Sequence, residues 1–224
     1  MTGSLKVSPN FNDRPAILPI DMLVVHYTGM KTCAEALARL CDDASAVSAH
    51  YLIEEDGTVH RLVDEDKRAW HAGVAWWRGG MDVNGRSVGI ELVNPGHEFG
   101  YQPFPDAQMV ALTNLAKSIL TRHPIPARNV VGHSDVAPRR KQDPGELFDW
   151  RRLAANGVGL WVDQASKVTL ADDQTRAMLG AFGYEVEDLT ATISAFQRHY
   201  RPARIDGVAD GETLGVLKAL LDHI

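Results

Sequence analysis

Three side chains in this 224-residue chain have the types and settings of a metal centre: His26, His133 and Asp143. His26 comes near the end of the dense apolar run Asp21-Met-Leu-Val-Val-His-Tyr27, and His133 closes Asn129-Val-Val-Gly-His133 in the same way. Each run reads as a short strand whose rigid end presents an imidazole at the open end of a sheet. Asp143 follows within Lys141-Gln-Asp-Pro-Gly145. Two imidazoles and one carboxylate suit a catalytic zinc, because they leave a fourth tetrahedral position for water or substrate. Residue type alone leaves another reading open. A strand-end histidine is commonly structural, and distance in sequence does not join His26 to His133.

Such side chains need elements to hold them. The segment around Ala34 to Leu40 has the pattern of an amphipathic helix, and His50-Tyr-Leu-Ile53 with Thr58-Val-His-Arg-Leu62, joined through Glu55-Asp-Gly57, that of a β-hairpin. Ser87-Val-Gly-Ile-Glu-Leu-Val93 reads as a strand closed by Asn94-Pro-Gly96. From Asp106, the residues Met109, Leu112, Ala116 and Ile119 form one helical stripe that ends before Pro124. The alternation predicts an α/β (α+β) fold, a central mixed β-sheet flanked by helices. Glu91 lies between Ile90 and Leu92, so its carboxylate points to the opposite face from both. In a partly desolvated site its pKa rises toward the range of a general base; a solvent-facing salt bridge is the alternative.

Past Asn156-Gly-Val-Gly159 the composition shifts. Leu189, Ile193, Phe196 and Tyr200, then Leu214, Leu217 and Leu221, follow helical periods, with Asp206-Gly207 and Asp210-Gly211 between them. The expected division is a first domain over residues 1–160 and a small three-helix domain over 166–224.

Six stretches occur in a fixed order: Val24-Val-His-Tyr-Thr28, Ser48-Ala-His-Tyr-Leu-Ile53, Ala69-Trp-His-Ala-Gly73, Ser87-Val-Gly-Ile-Glu-Leu92, Gly132-His-Ser-Asp135 and Lys141-Gln-Asp-Pro-Gly145. The series resembles the type 2 N-acetylmuramoyl-L-alanine amidase family, most closely its AmiD branch, from Ser8 to about Trp150. The resemblance implies zinc on His26, His133 and Asp143. It implies that Glu91 acts on the attacking water and that Lys141 faces the developing oxyanion. It also implies hydrolysis of the amide joining N-acetylmuramic acid, or its 1,6-anhydro form, to L-alanine in peptidoglycan fragments. Trp70 and His71 are then candidates for the cleft wall, and His50 is favoured over Tyr51 as the cleft-facing member of its strand. Arg86, whose planar fork suits a carboxylate, and Asn94 complete the substrate-binding candidates, with surface roles as the alternative for both. Trp76 and Trp77 suit either a loop over the cleft or a buried pair. In the tail, Ala195-Phe-Gln-Arg-His-Tyr200, Ile205-Asp-Gly207 and Asp210-Gly-Glu-Thr-Leu214 resemble a peptidoglycan-binding domain, which would either hold glycan or serve structure alone. The competing functions are a non-catalytic peptidoglycan-recognition module and a zinc peptidase on the stem peptide. An intact ligand set argues against the first, and the lack of an HExxH helix against the second.

Composition narrows the partners. A net charge of −6, with Arg139-Arg140-Lys141 the nearest approach to a basic cluster, disfavours nucleic acid. No apolar run approaches the roughly 18–20 residues of a membrane span. The first ten residues lack a secretory signal's apolar core, which favours the cytoplasm; a longer chain bearing a leader would favour the periplasm. Cys33 and Cys41 fall on one helix about 12 Å apart, too far to bridge, and two such thiols fit a reducing compartment.

Overall fold

The computed structural model describes residues 7–163 and 165–224; six of the ten residues behind the leader expectation lie outside them. In chain order the strands are β1 (Phe11–Asp13), β2 (Met22–Tyr27), β3 (Tyr51–Ile53), β4 (Val59–Arg61), β5 (Lys67–Ala69), β6 (Ser87–Leu92) and β7 (Val130–Gly132). The helices are α1 (Cys33–Leu40), α2 (Val83–Arg86), α3 (Gly96–Phe99), α4 (Asp106–Arg122), α5 (His133–Val136), α6 (Trp150–Ala155), α7 (Asp172–Phe182), α8 (Leu189–Tyr200) and α9 (Gly211–Leu221). Among the described residues no helix is long and apolar enough to cross a membrane.

The main sheet runs β4-β3-β6-β2-β7, mixed as expected: β3, β6, β2 and β7 are parallel neighbours, and β4 closes one edge antiparallel to β3. A separate ribbon pairs β1 with β5. Met22, Leu23, Val24 and Val25 of β2 are fully buried because both faces of the sheet are covered. Side-chain alternation sorts them. Leu23 and Val25, with Val88, Ile90 and Leu92 of β6, pack against Met109, Leu112, Ala116 and Ile119 of α4, the stripe read from the sequence. Met22 and Val24, with Val131 of β7, share the opposite core with Trp77, Phe182, Phe196 and Leu217.

The C-terminal helices therefore complete a core begun by the sheet. Gln197 on α8 explains the Phe-Gln and Asp-Gly pattern of the tail. Its amide nitrogen donates to Asp206 Oδ1 and the Val208 carbonyl, while its oxygen accepts the N–H groups of Asp206 and Gly207. Gly207 has φ +70°, and a Cβ there would meet Thr190 Cγ2 at 2.6 Å, so the turn needs glycine. Trp77 is fully buried, with its indole N–H donated to Asn129, and Trp76 is half-buried.

Truncating Phe196 to alanine is expected to cost about 3–5 kcal/mol of unfolding free energy. In urea titrations, tryptophan fluorescence, to which Trp77 contributes among five tryptophans, and helical circular dichroism should move together. Separate transitions for the two signals would contradict a shared core.

Candidate metal centre

The parallel strands carry the centre at their C-terminal ends, where open α/β sheets gather ligands. His26 is the fifth residue of β2, Glu91 faces it in register on β6, and His133 follows directly on β7. Asp143 is drawn in by its own backbone, whose carbonyl accepts the N–H of Ser134 at 2.9 Å. Nδ1 of His26 and Nδ1 of His133 are 3.0 Å apart, and Oδ2 of Asp143 is 3.1 Å from each. His26, His133 and Asp143 are all buried.

The hydrogen bonds behind the rings fix which nitrogens carry protons. Ser87 has one hydroxyl hydrogen and spends it on the Val83 carbonyl at 2.6 Å, so its oxygen accepts from Nε2 of His71 at 3.0 Å. Nδ1 of His71 is then bare and accepts from Nε2 of His26 at 2.9 Å. Nε2 of His133 donates to the Ala72 carbonyl at 3.0 Å. Both Nδ1 atoms are left as lone pairs aimed at the Asp143 carboxylate. Three electron-pair donors facing one another without a hydrogen between them are satisfied by a cation. Their 3.0–3.1 Å spacings lie close to the roughly 3.3 Å that tetrahedral zinc with bonds of about 2.0–2.1 Å requires. The outer partners, a histidine and a backbone carbonyl, are the kind that orient metal-bound imidazoles. Among the described residues a second trio, Cys33, Glu54 and His60, also brings donor atoms within 4.8 Å. There Nε2 of His60 is already hydrogen-bonded to Glu54.

Electrostatics agree. Burial, then the neighbouring His133, lowers His26 to about 4, so its ring is neutral and able to ligate at pH 7. Glu91 is half-buried, and its Oε2 is shut off from solvent without a hydrogen-bond partner. Burial, then the charge of Asp143, raises its pKa well above the ordinary value, with Lys141 opposing.

A cleft of about 710 Å³ opens over the centre, lined by Glu91, His133, Lys141 and Asp143 and walled by Trp70 and Arg39. Lys141 thus lines the same cleft as Glu91. Trp70 fixes its indole by donating Nε1–H to Asn12. His71 borders the cleft, yet both of its ring nitrogens are engaged, by Ser87 and by His26, so it orients the His26 ring. It reaches His26 because residue 89 is glycine: a Cβ there would lie 2.5 Å from the His71 ring.

Three expectations are corrected. His50 is fully buried away from the cleft, with Nδ1 accepting the Gly89 N–H and Nε2 facing Arg14 and the Lys67 carbonyl. Arg86 pairs with Asp21 where β2 and β6 begin, about 16 Å of strand from Glu91. Asn94 is buried and shapes the loop after β6, donating to the Gln102 carbonyl and accepting the Gly96 N–H. Tyr27 and His97, joined by a 2.8 Å hydrogen bond, border the cleft without having been singled out. Tyr27 follows His26 in its motif, which was a usable signal; His97 offered none.

Known proteins share this architecture. The family model described as N-acetylmuramoyl-L-alanine amidase matches residues 16–146. The N-acetylmuramoyl-L-alanine amidase AmiD of Escherichia coli K12 is 38% identical, covering 91% of this chain and 83% of that protein. A structure of E. coli AmiD in complex with the substrate anhydro-N-acetylmuramic acid-L-Ala-D-gamma-Glu-L-Lys superposes with TM-score 0.84 at 37% identity, over 95% of this chain and 93% of that one. A crystal structure of an AmpD derivative gives TM-score 0.61 at 35% identity, over 69% of this chain and 93% of that one.

The raised pKa of Glu91 has a signed consequence for stability. Below about 4.5, its ordinary value, folded and unfolded chains are both protonated. As pH rises, the unfolded chain releases a proton that the folded one retains, so stability is lost. In chelator-treated protein, Glu91→Gln should therefore melt above wild type at pH 7, and the gap should close by about pH 4. Equal melting temperatures at pH 7 would contradict the desolvated carboxyl.

Proposed function

This chain belongs to the N-acetylmuramoyl-L-alanine amidase family, and from that premise we propose that it is a zinc enzyme cleaving the amide between N-acetylmuramic acid and L-alanine in muropeptides, 1,6-anhydro forms included. The observation that carries this reading is the convergence of two bare imidazole nitrogens and a carboxylate beside the unpartnered Oε2 of Glu91. In the proposed roles, His26, His133 and Asp143 hold the metal. Zinc, when bound there, supplies a Lewis acid that acidifies water and polarises the scissile carbonyl.

The remaining chemistry belongs to the chain. Glu91 takes the proton of the attacking water and passes it to the departing amine of L-alanine. Its raised pKa makes its ionised form a stronger base. Lys141 faces the oxygen that gains charge as the carbonyl carbon becomes tetrahedral. Trp70, on the cleft wall, offers an aromatic face to the apolar side of a sugar ring. A cleft of about 710 Å³ falls within the roughly 300–1,000 Å³ of small-molecule sites. The proposed division between residues 160 and 166 leaves the three C-terminal helices as a unit, and their burial against the sheet supports a structural role for it.

Digestion of an anhydromuropeptide, with intact sacculi alongside, should release free peptide and sugar of the masses that cleavage at L-alanine requires. Glu91→Ala and metal-stripped protein should be inactive, and Lys141→Ala should lower kcat by about 10²–10³-fold. Full activity in Glu91→Ala or in stripped protein, or release of a single D-alanine, would overturn the reading.

A further inference from the structure

We propose that His199 and Tyr184, carried by the C-terminal helical segment, are positioning residues for the metal centre, acting through Asp135 on the turn that presents His133. The proposal rests on the reading of His133 as a metal ligand.

Asp135 is 1% exposed and every contact of its carboxylate is specific. Oδ2 accepts the N–H of Gly132 at 2.7 Å and Nδ1–H of His199 at 2.7 Å, while Oδ1 accepts the hydroxyl of Tyr184 at 2.6 Å. Gly132 is the residue that hands the chain from β7 to His133, so the carboxylate fixes the backbone immediately before the ligand. The turn cannot fix itself: α5 has four residues, far below the length at which a helix is stable alone. Of the three donors to Asp135, two come from beyond residue 166.

The ring of His199 is itself held in place. It stacks on Trp150 with centroids 3.8 Å apart and planes 17° apart, and on Tyr200 at 3.8 Å and 7°. Trp150 in turn closes on Gly132: a Cβ at residue 132 would meet its ring at 3.2 Å and Pro144, the neighbour of Asp143, at 2.7 Å. One imidazole therefore braces the approaches to two ligands. Without the His199 and Tyr184 donors, Asp135 is left buried with one partner. A buried carboxylate in that state rearranges or hydrates, and ligand geometry tolerates displacement of only about 0.5 Å.

The test measures Zn²⁺ affinity of the full chain by competition with a chromophoric chelator, below the melting temperature of every variant. His199→Phe keeps the stacking and loses the donor; Tyr184→Phe loses one hydroxyl; His199→Asn restores an N–H near the position of Nδ1. Leu217→Ala, in the same apolar core but on α9, which supplies none of the three donors to Asp135, reports on stability alone. His199→Phe and Tyr184→Phe should weaken zinc binding by about 10–100-fold. His199→Asn should stay nearer wild type, and Leu217→Ala should lower the melting temperature without changing affinity. Wild-type affinity in both phenylalanine variants, or an equal loss in Leu217→Ala, would overturn the proposal. Zinc binding retained by His133→Ala would instead remove the ligand assignment, and the proposal with it.

Discussion

Two imidazole lone pairs and a carboxylate oxygen, 3.0–3.1 Å from one another in a buried pocket, repel unless a cation joins them. Holding them together is the constraint that the rest of the structure answers. A histidine ring can present either nitrogen, and only one tautomer leaves Nδ1 bare. The chain selects that tautomer from behind. The Val83 carbonyl takes the hydrogen of Ser87, Ser87 takes that of His71, and His71 takes that of His26. For His133 a single carbonyl, that of Ala72, does the same. Gly89 belongs to the arrangement because the His71 ring occupies the place of a side chain there.

The fold supplies the platform. Parallel pairing of β2 with β6 and β7 places His26, Glu91 and the residue after Gly132 at one end of the sheet in fixed register. Period-two alternation then divides the labour. Leu23, Val25, Ile90 and Leu92 go to the α4 core, while His26 and Glu91 emerge on the face that also carries Val24. That face is the one the C-terminal helices cover. Their packing meets the need for apolar burial and brings His199 and Tyr184 to the turn that carries His133. Burial also makes the electrostatics effective, because the same desolvation that keeps His26 neutral raises Glu91.

Much of this was legible in the sequence, and the reasons differ by residue. His26 and His133 declared themselves where apolar strands ended, and Glu91 by alternation between Ile90 and Leu92; these are local patterns. Arg86 was misplaced because a strand pattern does not say which end faces the site. His50 went wrong because one face of its strand was assumed to be the cleft, whereas its imidazole packs under Arg14. Asn94 and Gly96 close a loop, which composition alone could suggest in either role. The brace on Asp135 was invisible, since its partners lie 49 and 64 residues away and each looks like an ordinary core side chain. The Asp-Pro-Gly and Phe-Gln motifs were visible as patterns, while their physical content came only with the contacts made by Asp143 and Gln197.

The most direct test of this arrangement is the tautomeric state of the histidines in metal-free protein at pH 7, read from long-range proton–nitrogen correlation spectra of 15N-labelled rings. His26, His71 and His133 should each carry hydrogen on Nε2, with Nδ1 unprotonated. A hydrogen on Nδ1 of His26 or His133 would show that the hydrogen bonds behind the rings do not preset the ligands, and would contradict a site built in advance for a cation.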